Sequence, residues 1–525
     1  MRMDCETKVG RWLARGSVAA VLASLFAVGL VQGCGDDDPA APKQDSGPPD
    51  TGKPDTGTDA GTDAQGDADP GPQPKKLALS KDGTDRLLNV TFDSAGNLYA
   101  VGIVSTATGA NADFETAVIK VLPSGETDTS FGGPGANGVA RKNIVVGKNG
   151  ELARGIAIQR APVADGGTED RIVVGATVDL AADAGADPRD RDIALVRFKM
   201  DGTLDDAFGT GGVATFNLKD GIEFPTTLPD GGASTGYTAD SQWGLAALPN
   251  GSLIVTGSQR TANPNAARTD SDFAVIKVDS QGKKLDDTFG QGGSGVFTYD
   301  PDRDVDAGWR SASPRAVTLL ENGSIVATGY QPDTDGKTVV PTIFKLTPAG
   351  ALDPSFGTNG VFSKVLGAVT EAYAVVQQGT NFVTVGYGRE VSTNPNDIVS
   401  VRVNASGQLD GTYGTGGKAT LDGNNQVDQG RNLVVLPDSR LFVVGNGQQT
   451  KDVGEALTAV FTANGQPDTN YAPKGRKLYD LGGTGDVFWG VALSPDKKKI
   501  AIVGYSSAVP TGSNEDSFLL LVPVP

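Results

Sequence analysis

Residues 244–299 contain, in order, GLAAL (244–248), the turn Pro249-Asn250-Gly251, LIVTG (253–257), DFAVIKV (272–278), KLDDTFGQGG (284–293) and GVFTY (295–299). Short runs rich in β-branched and aromatic residues, separated by Pro, Asn, Asp and Gly, read as four antiparallel strands joined by turns. The unit recurs. Its second strand ends in glycine seven times, as LYAVG, IVVG, LIVTG, IVATG, FVTVG, LFVVG and IAIVG, closing at Gly102, Gly175, Gly257, Gly329, Gly386, Gly445 and Gly504. The spacings are 73, 82, 72, 57, 59 and 59 residues. Such a recurrence marks a repeat architecture, in which each unit buries its apolar faces against its neighbours.

Equivalents of the third strand are FETAVIKV, DIALVRF, PTIFKL, DIVSVRV, EALTAVF and DSFLLLV. Both faces are largely apolar, which suits a small sheet covered on each side. Four-stranded antiparallel units repeated radially are β-propeller blades. The turn after the third strand, L-D-x-x-F-G, occurs six times, at Asp128–Phe131, Asp205–Phe208, Asp286–Phe289, Asp353–Phe356, Asp410–Tyr413 and Asp468–Tyr471. The seventh unit stops at SFLLLVPVP without a turn or a fourth strand, while Lys76–Ser80 stands before the first unit and belongs to none. The expectation is an all-β, seven-bladed β-propeller of four-stranded antiparallel blades over residues 76–525, with the last blade closed by the N-terminal strand.

These units resemble the delta-sixty repeat family of bacterial β-propeller repeats, through the turn before the glycine-ended strand and the L-D-x-x-F-G turn after the Asp-led one. The resemblance covers about residues 76–525. Unit four departs from it with Pro341-Thr342 in place of Asp-Phe or Asp-Ile, and unit six with Tyr471-Ala472 in place of aromatic-Gly. It implies a fold and a cell-surface context, and no reaction, because the family carries no assigned catalytic residues.

Composition narrows the chemistry. The 525 residues include 72 Gly, 30 Pro and no His, which removes Ser-His-Asp and Cys-His catalysis and His-ligated metal centres. A net charge of −18 opposes nucleic-acid binding. Arg2, Lys8, Arg11 and Arg15 precede the apolar stretch Ser17–Val31, which ends in Val31-Gln32-Gly33-Cys34. Residues 1–33 read as a signal peptide of lipoprotein type, with Cys34 the lipidated first residue of the mature chain. Residues 34–75, rich in Asp, Pro, Gly and Thr, have almost nothing apolar to bury and read as a disordered tether. A monomer attached to the membrane through its lipid alone, at the outer membrane or surface of a bacterium, is expected.

The aspartates and aromatics of the L-D-x-x-F-G turns read as structural, since packing groups recur in every unit and functional groups seldom do. More variable are Leu88, Arg154, Trp243, Arg315, Tyr373, Arg431 and Trp489, at the entry to each innermost strand. Three residues earlier stand Asp85, Glu151, Asp240, Ala312, Thr370, Asp428 and Asp486. Both sets should lie near one channel mouth, where arginines and aromatics suit a sugar or an anion, or where the carboxylates cap loops and pair with the arginines while the aromatics pack between blades. Asp300, Asp302, Asp304 and Asp306 alternate as in calcium loops, but Val305 replaces the required Gly and Ser311 the bidentate Glu. No cofactor is expected beyond that calcium candidate.

The function expected is a binding or scaffolding module for a protein or glycan. The alternative is a polysaccharide-acting enzyme using a carboxylate pair such as Asp240 and Asp486. For the anchor, metabolic labelling with a fatty-acid probe should tag the wild type and leave Cys34→Ser untagged; equal labelling of both would remove the lipoprotein reading.

Overall fold

The computed structural model describes residues 71–525, except 81–82, 106–112, 148–149, 164, 180–189, 228–232, 261–269, 302–311, 334, 336, 424, 451–452 and 508–514. The signal peptide, Cys34 and nearly all of the tether therefore lie outside the described residues, as do Asp302, Asp304 and Asp306. Residues Pro72–Pro525 form one compact unit. It is all-β and propeller-like: among the described residues only two short 3-10 turns, Gln291–Gly293 and Pro473–Gly475, interrupt the strands. No described helix is long and apolar enough to cross a membrane.

Unit one is a four-stranded antiparallel sheet of Asp85–Phe92, Leu98–Ser105, Phe114–Val121 and Val139–Lys142, paired in sequence order. Units two, three and six repeat that order in sheets of their own. Units four and five are joined into one eight-stranded sheet by a single parallel pair, Val339 with Val369. Pro341 of unit four lies within a strand, opposite Tyr330, so this departure leaves the ladder in place. A separate hairpin, Ile222–Thr227 with Ala233–Thr238, precedes unit three.

The sheet of unit seven contains Val487–Leu493, Lys499–Ser506 and Asp516–Pro523, and its fourth strand is Lys75–Leu77. Lys75, Lys76 and Leu77 pair with Leu519, Phe518 and Ser517. The N-terminal strand is thus shorter than the sequence suggests. Ala78–Ser80 has already left the ladder, because Asp85 draws the Leu79 and Ser80 N–H groups to its Oδ2 at 2.8 and 3.0 Å.

Apolar packing runs between units. Ala501, Val503 and Leu519 of unit seven cluster with Val104, Ala117 and Ile119 of unit one, and Phe442 and Val460 of unit six with Ile500 and Leu520 of unit seven. The L-D-x-x-F-G turns fasten the same seams. Phe131, Phe208, Phe289, Phe356 and Tyr413 are buried. Each packs beneath a glycine of the following unit, so that a Cβ on Gly202, Gly282, Gly350, Gly407 or Gly465 would come within 2.4–3.0 Å of the ring. The turn glycines Gly132, Gly209, Gly290, Gly357 and Gly414 have φ between 52° and 88° and donate N–H to the next unit's Asp201, Gln281, Ala349, Ser406 and Asn464 carbonyls at 2.8–2.9 Å. Ala472 cannot adopt that φ cheaply; it sits at −165°, and the chain detours through a 3-10 turn. The turn aspartates are structural too. Asp286 accepts Thr288 N–H at 3.0 Å and pairs with Lys277 at 3.0 Å, and Asp353 pairs with Lys345 at 2.9 Å.

The recurring glycine at the end of the second strand has a different cause. None of the seven has positive φ. A Cβ on Gly102, Gly257, Gly329, Gly386, Gly445 or Gly504 would instead stand 1.7–2.1 Å from a first-strand carbonyl oxygen, that of Arg86, Ser241, Ser313, Glu371, Gln429 or Val487. In unit two the obstacle is the Gln242 side chain, 2.8 Å from a Cβ on Gly175. Gly257→Ala should therefore destabilise the protein by at least about 2 kcal/mol, the scale of overpacking a core. Gly411→Ala, with nothing within 4 Å of its Cβ, should change it by less than about 0.5 kcal/mol. Denaturant melts of the two variants test this, and equal midpoints would refute the carbonyl contact.

Candidate functional site

Every first strand carries one residue more than its partner. The ladder shifts between Leu87 and Asn89, Ala153 and Gly155, Gln242 and Gly244, Pro314 and Ala316, Ala372 and Ala374, Gly430 and Asn432, and Phe488 and Gly490. The extra residues are Leu88, Arg154, Trp243, Arg315, Tyr373, Arg431 and Trp489, the seven that the sequence pattern singles out. They lie inside the strands rather than at their entry, because pairing continues through the bulge to Asp85, Glu151, Ser241 and their equivalents. A β-bulge re-aims the extra side chain out of the ladder.

Six of these side chains stack on one another. The Arg154 and Arg315 guanidinium carbons each lie 3.8 Å from the Trp243 ring centroid. Arg315 is also 4.7 Å from Tyr373, and Arg431 lies 4.9 Å from Tyr373 and 4.8 Å from Trp489. Each contact contributes about 0.5–2 kcal/mol when desolvated. The seventh of these residues, Leu88, clusters with Val487 and Tyr505, and Trp489 and Leu152 pack against that cluster.

A second layer was not anticipated from the sequence. Arg315 donates to the Tyr330 hydroxyl at 2.6 Å, the Tyr373 and Tyr387 hydroxyls are 3.2 Å apart, and Arg431 donates to Gln429 Oε1 at 2.6 Å. Glu371, 2% exposed, stands among these groups. Burial pushes its carboxyl pKa up, while the Tyr387 hydroxyl, the two guanidinium charges and the Tyr330 hydroxyl pull it down. The available signal was the residue after the recurring glycine, which is tyrosine in units four, five and seven: Tyr330, Tyr387 and Tyr505.

The preceding carboxylates hold loops. Glu151 accepts from the backbone N–H of Ile144, Val145 and Thr116, Asp240 from Leu218 and Lys219 at 2.5 and 3.2 Å, and Asp486 from Leu481 at 2.6 Å. Asp428 accepts from Gly423 at 2.9 Å and pairs with Arg476. All five acidic residues, Asp85 included, are at most 2% exposed. Among the described residues none of these five makes the expected ion pair with a ring arginine; of the five, Asp428 pairs with an arginine outside the ring, Arg476. Asp240 and Asp486, the candidate catalytic pair, are 0% and 1% exposed. Burial raises Glu151 and Asp240 to about 7, and burial with the charges of Asp422, Asp428 and Glu390 raises Asp397 to about 7.

Among the described residues no group of three or more Cys, Asp or Glu side chains is placed to hold a metal ion. Of the calcium candidate, Asp300 alone is described.

No protein-family model matches the chain, and no curated protein matches it. Solved structures similar to it include the β-propeller domain of the Trilobed protease from Pyrococcus furiosus, at 10% identity and a TM-score of 0.38, covering 83% of this chain and 93% of that one. A protein of unknown function from Dyadobacter fermentans is 12% identical at a TM-score of 0.36, over 70% of this chain and 93% of the other. The NanB sialidase of Streptococcus pneumoniae is 10% identical at 0.36, over 86% and 71%.

The raised carboxyls set a pH dependence. A carboxyl whose folded pKa exceeds its unfolded value favours the folded state fully below about pH 4, and that contribution is lost as pH rises through its folded pKa. For Glu151, Asp240 and Asp397 the loss runs from about pH 4 to about 7. Asp286 and Asp353, lowered to about 2 by hydrogen bonds from Thr288 and Ser355 and by Lys277 and Lys345, oppose it only below about pH 4. The melting temperature at pH 5 should exceed that at pH 8. A flat profile, or one rising with pH, would show that these carboxyls titrate normally.

Proposed function

We propose that this chain is a lipid-anchored cell-envelope β-propeller of the delta-sixty type, closed in seven blades, that works as a binding or scaffolding module for a protein or glycan. The ring closure is supported by the first strands, which contact one another in sequence order with that of unit seven against that of unit one, and by Lys75–Leu77 as the fourth strand of unit seven. The observation that carries the functional reading is that the arginines and aromatics of the ring stack on one another and the neighbouring carboxylates are buried against loop backbone. Arginines stack on aromatics, and the carboxylates accept loop N–H groups.

A scaffold would then present its loops. In each antiparallel set, the connection into the first strand and that between the second and third strands share one end, and the tight turns share the other. The loop end carries the longer connections of varied sequence, and Lys75 begins its strand at the turn end. The loop end is thus the one away from where the chain enters unit seven, and the natural face for a partner. Against the polysaccharide-acting alternative stands the burial of Asp240 and Asp486, which keeps that candidate pair from water.

A glycan panel read for binding and for reducing-end release together tests the proposal. The expected result is saturable binding to a panel member without new reducing ends. Release that disappears in Asp240→Asn or Asp486→Asn would overturn it in favour of the enzyme.

A further inference from the structure

We propose that the seam between units seven and one is a docking site for a partner protein segment that carries an aromatic side chain on a turn, with a carboxylate three residues before it. This adds a contact at the turn end and does not depend on the loop-end reading.

Five seams are filled in one way. The turn aromatic packs under a glycine of the following unit, and the glycine after the aromatic donates N–H to the carbonyl just before that glycine. The ring also joins the first apolar pair of the next unit's second and third strands: Phe208 clusters with Leu253 and Val278, and Phe289 with Ile325 and Leu346. Unit seven takes its fourth strand from Lys75–Leu77 and supplies no such turn among the described residues. The receiving side in unit one is nevertheless complete. Gly125 has a φ of 92°, and a Cβ there would meet only Leu521, at 3.5 Å. The Ser124 carbonyl accepts no hydrogen bond among the described residues. The equivalent apolar pair, Leu98 and Val121, lines a groove with Phe92, Leu122, Pro123 and Leu521.

The groove has a volume of about 220 Å³. An apolar cavity of roughly 150 Å³ takes a benzene ring, so one phenyl or phenol side chain fits. Charge selects the rest of the segment. The residue before the first apolar position of the second strand is Arg171, Asn381 and Arg440 in units two, five and six, and each bonds to its own unit's turn aspartate, Asp205, Asp410 or Asp468. In unit seven that residue is Lys499, which also lines the groove. It is exposed, makes no ion pair among the described residues and donates to the Pro123 carbonyl at 3.0 Å. A carboxylate placed as in the intact turns would pair with it. The aromatics of the five intact turns are buried in their own seams, so a second copy of the chain cannot supply the ring from them.

Isothermal titration of the full chain with a synthetic peptide of residues 351–360, ALDPSFGTNG, tests the site. The expected result is one-to-one binding, at least tenfold weaker when the peptide carries Phe356→Ala or Asp353→Asn. Affinity for the unaltered peptide should fall as far in the protein variants Leu122→Asp and Lys499→Glu. It should stay unchanged in Lys283→Glu, which makes the same change of charge at an exposed lysine of unit three. All three protein positions are exposed, so the variants leave the core intact. Absence of binding to the wild type, or undiminished affinity after any of the four substitutions expected to weaken it, would overturn the proposal.

Discussion

Six backbone carbonyl oxygens occupy the space where a side chain would begin on the recurring glycines, and the centre of the molecule depends on that contact. At each of these bulges the first strand brings the carbonyl two residues before the extra residue down onto the second strand. Only glycine leaves room for it. Once the bulge is in place, one side chain per strand is turned out of the ladder, and repetition brings these side chains together as a ring. Unit two reaches the same result differently: the buried Gln242 side chain of unit three lies against Gly155 and Gly175, and both positions must lack a Cβ.

At the turn end, the constraint is on the seams. In five of the six L-D-x-x-F-G turns the aromatic lies under a glycine of the following unit, and the glycine after the aromatic donates its N–H to that unit's turn. Two glycines in different units are thus tied to one aromatic, so the motif is readable only across a junction. At the loop end, buried carboxyls hold the connections between successive units. Burial disfavours their charged forms while the loop N–H groups favour them; burial prevails, so the folded state as a whole is weakened as they ionise. At the turn end the sign is opposite: turn hydrogen bonds and lysines hold Asp286 and Asp353 ionised, so those turns are strengthened by ionisation.

Much of this was legible in the residues, for reasons that differ. The strands and their order follow from apolar runs punctuated by turn residues, and the pairing of the N-terminal strand with Asp516–Pro523 follows from a missing fourth strand at one end of the repeats and an orphan strand at the other. The seven ring positions were found by counting back from a turn, because register is conserved along a repeating ladder. Their setting was not. A bulge shifts pairing by one residue without any composition of its own, so Leu88, Arg154 and Trp243 read as strand entries when they are extra residues within the strands. Nor did anything in unit five announce that Glu371, beside Tyr373 in sequence, would stand among Tyr330 of unit four, Tyr387 and Arg431 of unit six.

By itself the sequence determined the class of fold, the number of repeats and the identity of the ring residues, because periodicity and turn chemistry are local and repeat seven times over. Only the tertiary structure decided what those residues do. Whether an arginine meets a carboxylate, an aromatic face or nothing depends on which side chain the neighbouring unit turns inward, and that is a relation between strands some sixty to eighty residues apart. Arg315 lies between Trp243 and Tyr373, whereas Arg154 lies against Trp243, because the unit before it contributes Leu88 in place of an aromatic.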